Sequence, residues 1–136
     1  MTADDDETHR GSCLCGETVF EVHGPLSDVV TCHCTQCRKQ TGHYWASATA
    51  QTQHLRLLAD SHVRWYRSSG TARRAFCAKC GSTLFWQADA KPAEISIAAG
   101  VLDGATGLRT VGHIFCADKG DYYEIPQEGY RRAQWG

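Results

Sequence analysis

No run of apolar residues in this 136-residue chain approaches the roughly 20 that a membrane-spanning helix needs. Nor does one sign of charge dominate, since 14 basic against 15 acidic side chains leave a net charge of −1. Such a balance carries no electrostatic footprint for nucleic acid or for an anionic membrane surface. Internal repeats, linkers and low-complexity tracts are lacking, so the chain reads as one domain. No export signal is expected either. The first residues, MTADDDETHR, are acidic where a signal would be basic and then apolar. Residues 1–10 are expected to form a mobile acidic tail and residues 11–136 the domain, in a cytoplasmic compartment.

Cysteine is what the chain has in quantity, with eight residues. A reducing compartment disfavours stable disulfides, so metal ligation or catalysis is the expected use. Seven of the eight fall into three clusters: Cys13 and Cys15; Cys32, Cys34 and Cys37; Cys77 and Cys80. Bridging residues two apart strains disulfide geometry, which also favours metal. Zinc takes four such ligands in a structural site, and three plus an exchangeable one in a catalytic site. Seven clustered thiols divide into four and three.

Hydrophobic residues make up 42% of the chain, a modest core that metal cross-links would support. The patterning is that of short strands. GETVFEVHG alternates apolar and polar residues, and Val29-Val30-Thr31 runs into the second cluster. TQCRKQTG carries one or two helical turns, with Gly42 placed to end them. HYWASATA returns to strand character. HLRLLADSHVRWYRSSGTARRAFC reads as three strands broken at Asp60-Ser61 and at Ser68-Ser69-Gly70. STLFWQ, EISIAAG and GHIFCA are further strands. The predicted fold class is mainly β, with short antiparallel sheets, little helix and metal-bearing corners.

Cys77-Ala-Lys-Cys80-Gly81 has the form of a zinc knuckle, and Cys13-Leu-Cys15-Gly16 offers a second glycine-closed pair. Together they form a closed four-cysteine site with a structural role, tying the N-terminal segment to the middle of the chain. The trio Cys32, Cys34 and Cys37 can cap a metal on one side and leave one position for water, a thiol or a carbonyl oxygen. Cys116, His43 and His113 compete for that position, and with a fourth protein ligand the second site would be closed. His33 alternates with its cysteine neighbours and is expected to point away. Arg38, Lys39, Arg73 and Arg74 are candidate contacts for an anionic thiol, or else solvated. Trp45, Trp65, Trp86 and Phe85 are expected in the core, unless one shields the metal at a cleft edge.

GSCLCGETVFEV, CHCTQCRKQTG, FCAKCGSTLFW and GHIF, in that order, resemble the glutathione-dependent formaldehyde-activating enzyme family, which includes the centromere protein V-like proteins. The resemblance runs from about Gly11 to the region of Tyr122. It implies a zinc-stabilised β-tent fold with two Zn2+. Cys13, Cys15, Cys77 and Cys80 match the family's structural ligands, and Cys32, Cys34 and Cys37 its catalytic ligands. It also implies a carbon–sulfur lyase that joins glutathione and formaldehyde as S-hydroxymethylglutathione. The expected partner is thus a small-molecule thiol or thiol adduct, not nucleic acid or membrane, with Arg38 and Lys39 as contacts. The alternative is a non-enzymatic two-zinc module that scaffolds a protein partner, with both metals closed.

Overall fold

A computed structural model of the chain describes residues 7–134. Eleven strands and one short helix are named in chain order. They are β1 (Thr8–Ser12), β2 (Val19–His23), β3 (Val29–Cys32), α1 (Thr35–Thr41), β4 (Trp45–Gln51), β5 (Leu55–Ala59) and β6 (Val63–Arg67). Then follow β7 (Ala72–Cys77), β8 (Thr83–Ala88), β9 (Glu94–Ala98), β10 (Thr110–Ile114) and β11 (Tyr130–Arg131). No helix among the described residues is long and apolar enough to cross a membrane.

Two sheets result. The smaller has the order β1-β2-β5, and the larger β11-β10-β3-β4-β9-β8-β7-β6. Alternation in β2 turns Phe20 and Val22 inward, and both are fully buried. They meet Phe85 of β8 and Ile95 and Ile97 of β9, so the core lies between the sheets. Phe20 and Phe85 pack edge to face with ring centroids 5.3 Å apart, the arrangement that aromatic quadrupoles favour. Cys13 and Cys77 belong to the same buried cluster. The four-cysteine group therefore closes one margin of the core.

The expected mainly β architecture is present, with three departures in detail. Residues 8–10, expected in the tail, instead begin β1, which pairs with β2 from Thr8 opposite His23 to Ser12 opposite Val19. Residues 1–6 of that expected tail lie outside the described residues. Not every pairing is antiparallel, because β10 runs parallel to both β3 and β11. The GHIFCA strand ends at Ile114. Phe115 takes a left-handed backbone (φ 54°) and Cys116 opens a 3-10 turn, Cys116–Asp118.

β3 and α1 together position the three-cysteine loop. Strand alternation sends Cys32 to one face and Thr31 to the other. The helix begins three residues after β3, and the Cys34 sulfur accepts a hydrogen bond from the Cys37 amide at its N-terminus. It stops at Gly42, whose φ of 83° allows the left-handed cap expected there.

Candidate functional site

The four-cysteine group is assembled from two turns that begin at strand ends. Cys13 follows β1 directly, and Cys77 is the last residue of β7. Each turn closes on a glycine in the left-handed region, Gly16 (φ 81°) and Gly81 (φ 82°). The Gly16 amide donates to the Cys13 carbonyl (3.0 Å), and the Gly81 amide to the Cys77 carbonyl (2.7 Å). Both folds aim their sulfurs at one point. All four Sγ atoms lie within 4.8 Å of one another.

That geometry fits zinc. A tetrahedral ion with Zn–S bonds of about 2.3 Å separates its sulfurs by about 3.8 Å. Cys13 and Cys15 sulfurs are 3.5 Å apart, and those of Cys15 and Cys77 3.9 Å. None of the eight cysteines is in a disulfide. The Thr18 amide donates to the Cys13 sulfur (3.3 Å). Hydrogen bonds from Ser82, its hydroxyl first, lower Cys80 to about 5. Cys15 is lowered by the Glu17 amide, but desolvation and the sulfurs of Cys13, Cys80 and Cys77 push it up to about 12. Four thiolates this close repel, so a cation is what allows all four to ionise.

The second group holds Cys32, Cys34 and Cys37, again within 4.8 Å. Cys37 is buried in α1, while Cys32 and Cys34 are half-buried. Hydrogen bonds from Cys32 and then Cys37 hold the Cys34 thiol far below the usual thiol range. Cys32 is pushed up, first by Cys34 and next by Cys37 and burial. This donor set also suits a soft divalent cation. Among the described residues, no other His, Cys, Asp or Glu places a ligand atom within 4.8 Å of all three sulfurs. Cys116, the rival fourth ligand, instead directs its thiol to the His113 carbonyl (3.5 Å).

A cavity of about 730 Å3 opens beside the trio, lined by Cys32, Cys34, Cys37, Trp45, Trp86 and Arg74 among others. Its volume falls in the range of about 300–1,000 Å3 typical of small-molecule sites. Trp45 and Trp86 pack against Cys37, so two of the four named aromatics flank the trio. Phe85 and Trp65 instead belong to the main core.

Arg38 and Lys39, the expected anion contacts, do not line this cavity. At 3.6 residues per turn they are rotated about 100° and 200° from Cys37 around α1. The cations that do line it are Arg74, Lys91 and Arg132. Arg73 and Arg74 are adjacent on β7 and so face opposite sides. Arg73 lies over the Trp65 ring at 3.9 Å and donates to Gln87, whereas Arg74 is buried and donates from Nη2 to the Cys37 sulfur (3.3 Å). Adjacency in sequence could not separate these two arginines.

Behind the trio, the opposite face of β3 carries a polar chain. His33 and His113 are buried, with His33 turned away from the sulfurs as its alternation requires. Burial, then the neighbouring His113 and His43, lowers His33 to about 4 and keeps its ring neutral. The Glu128 carbonyl only accepts, so His113 Nε2 is the donor to it (3.1 Å). His113 Nδ1 is hydrogen-bonded to Thr31 Oγ1 (2.6 Å), which also bonds His33 Nε2 (2.8 Å). His33 Nδ1 in turn is hydrogen-bonded to the Tyr123 hydroxyl (2.6 Å). Thr31 and Tyr123 were not legible as partners of this loop, because the contacts span up to 90 residues.

The sequence profile of the glutathione-dependent formaldehyde-activating enzyme matches residues 8–118. The chain belongs to that family. One relative is an uncharacterized lyase of Schizosaccharomyces pombe, 28% identical over 121 residues, covering 86% of this chain and 85% of the relative. A crystal structure of a Rhodobacter sphaeroides protein superimposes with a TM-score of 0.61 at 28% identity, covering 74% of this chain and 97% of that one. The matched segment of this chain spans both cysteine groups and Arg74. It stops before Tyr123 and β11, so the end of the polar chain lies beyond the matched segment.

Proposed function

We propose that this protein is a zinc-dependent carbon–sulfur lyase acting on a thiol–aldehyde adduct. Glutathione and formaldehyde, combining to S-hydroxymethylglutathione, are the pair its family name indicates. One observation carries the reading. Three cysteine sulfurs within 4.8 Å converge beside a cavity of about 730 Å3, and no other His, Cys, Asp or Glu of the described residues joins them.

A zinc held by Cys32, Cys34 and Cys37 would supply Lewis acidity and a place for a substrate sulfur or oxygen. The remaining work falls to the chain. Trp45 and Trp86 exclude water from one side of the trio, which strengthens electrostatic interactions there. The cavity aligns thiol and aldehyde, turning an encounter of two molecules into a reaction of neighbours. In the addition, sulfur bonds to the aldehyde carbon and the C=O π pair moves to oxygen. The thiol proton ends on that oxygen, and no electron is gained or lost overall. The reverse reaction breaks the same carbon–sulfur bond. Cys13, Cys15, Cys77 and Cys80 would hold a structural zinc that takes no part in it. The proposed setting is the cytoplasm, where thiols stay reduced.

Two-dimensional exchange NMR with 13C-formaldehyde and glutathione tests the proposal. The zinc-loaded protein should accelerate exchange between the free and S-hydroxymethyl pools, and Cys34→Ser should abolish the acceleration while remaining folded. Exchange at the uncatalysed rate with two metals bound would contradict this assignment of substrates.

A further inference from the structure

Arg74 is a cation inside the protein with no carboxylate among the described residues to match it. The residue is 4% exposed, and among the described residues its side chain makes a single hydrogen bond, from Nη2 to the Cys37 sulfur. Its buried Nε and Nη1 find no partner among those residues. None of the ion pairs among the described residues includes it. Arginine does not shed its proton at any ordinary pH, and a buried charge without a counter-charge is strongly destabilising. The counter-charge available to it is sulfur. Arg74 reaches the trio from β7 of the large sheet, whereas Cys37 belongs to α1, so the contact joins two separate elements.

The charges add up simply. Three thiolates on a divalent cation sum to −1, and one guanidinium cancels that. An external thiolate in the fourth position leaves −1 in place of −2, which eases its entry into a site walled by tryptophan. We propose that Arg74 is the positioning residue that balances the charge of the Cys32–Cys34–Cys37 centre. It thereby sets how tightly the centre holds its metal and how readily it accepts an external thiolate. Its hydrogen bond to Cys37 also fixes the direction of that sulfur, as outer partners do for metal ligands generally. Arg73, turned to Trp65, plays no part. The inference rests on the metal-centre reading above.

The test compares wild type, Arg74→Met and Arg74→Lys, each loaded with zinc or cobalt, by chelator competition and thiol titration. An uncharged thiol, 2-mercaptoethanol, serves as the probe, so that carboxylate binding cannot imitate the effect. Arg74→Met should release the trio's metal at 10- to 100-fold lower chelator concentration, the usual scale for losing an outer partner. Its affinity for 2-mercaptoethanol should fall about as far, while the four-cysteine metal and its cobalt spectrum stay unchanged. Arg74→Lys should recover part of both losses. A second measurement needs no variant. In wild type, the Arg74 guanidinium proton resonances should become protected from exchange when the second equivalent of cadmium binds.

A wild type that loads only one metal would overturn the centre itself. A wild type that loads two, with Arg74→Met within twofold on both quantities, would overturn the role of Arg74 alone. So would a loss confined to glutathione and absent for 2-mercaptoethanol. Unprotected Arg74 protons in the doubly loaded wild type would overturn it even if the methionine variant did not fold.

Discussion

Replacing Thr31 by valine keeps the shape of the side chain and its preference for a strand, yet removes the hydroxyl that joins two buried histidines. Thr31 is 4% exposed, and its hydroxyl is hydrogen-bonded to both His113 Nδ1 and His33 Nε2. Valine leaves one ring nitrogen of each histidine without its partner. Each unpaired buried group costs about 1–3 kcal/mol, which sets a range of about 2–6 kcal/mol for the pair. A cavity of about 290 Å3 lined by Thr31, His33 and His113 lets water approach, so the lower end applies. The expected loss is about 2 kcal/mol, or roughly 8 °C in Tm for a domain of this size. Thr31→Ser keeps the hydroxyl and gives up a methyl group, worth about 1 kcal/mol. Urea denaturation of the zinc-loaded proteins measures both. Valine must lie below serine, and serine below wild type. A valine variant as stable as wild type would refute the reasoning that this chain of hydrogen bonds supports the loop.

Other predictions follow from the core and the turns. Gly81→Ala meets no atom within 4 Å but keeps a φ of 82°, so only backbone strain of about 1–2 kcal/mol should appear in its urea midpoint. A change below a few tenths of a kcal/mol would show that the turn does not hold that conformation. Phe20→Ala removes a fully buried ring packed on Phe85 and should cost about 3–5 kcal/mol by the same assay; a cost under about 1 kcal/mol would place the core elsewhere. Burial raises the Tyr123 phenol above its ordinary range of about 10. The unfolded chain therefore loses this proton first. The stability it contributes is whole below about pH 10 and is lost as pH rises through the higher folded value. Absorbance at 295 nm should show one delayed step that Tyr123→Phe removes, and a single wave near pH 10 would argue against a half-buried Tyr123.

How far the sequence reached depended on the range of the forces involved. Alternation in GETVFEVHG, the cap at Gly42 and the glycines after Cys15 and Cys80 are local signals, and each appears as expected. The split of cysteines into four and three was legible from spacing alone, and the sulfurs gather in those two groups. Other features are decided by pairing across long stretches of chain. Parallel β10 joins β3 some 80 residues away, so no hairpin signal announces it. β1 is short and adjoins an acidic run whose composition hid it. The burial of Arg74 follows from which face of β7 meets α1, and two adjacent arginines carry no sign of that. Arg38 and Lys39 looked suitable because they follow Cys37, but the turn of the helix carries them off the cavity wall.

Metal content and folding, measured together on three proteins, test the central claim that the two cysteine groups are unequal. Native mass spectrometry and circular dichroism of wild type, Cys34→Ser and Cys80→Ser suffice. Wild type should hold two zinc ions. Cys34→Ser should stay folded with one, and Cys80→Ser should lose both its metal and its fold. A Cys34→Ser chain that unfolds as badly as Cys80→Ser would contradict the account, because both sites would then be structural.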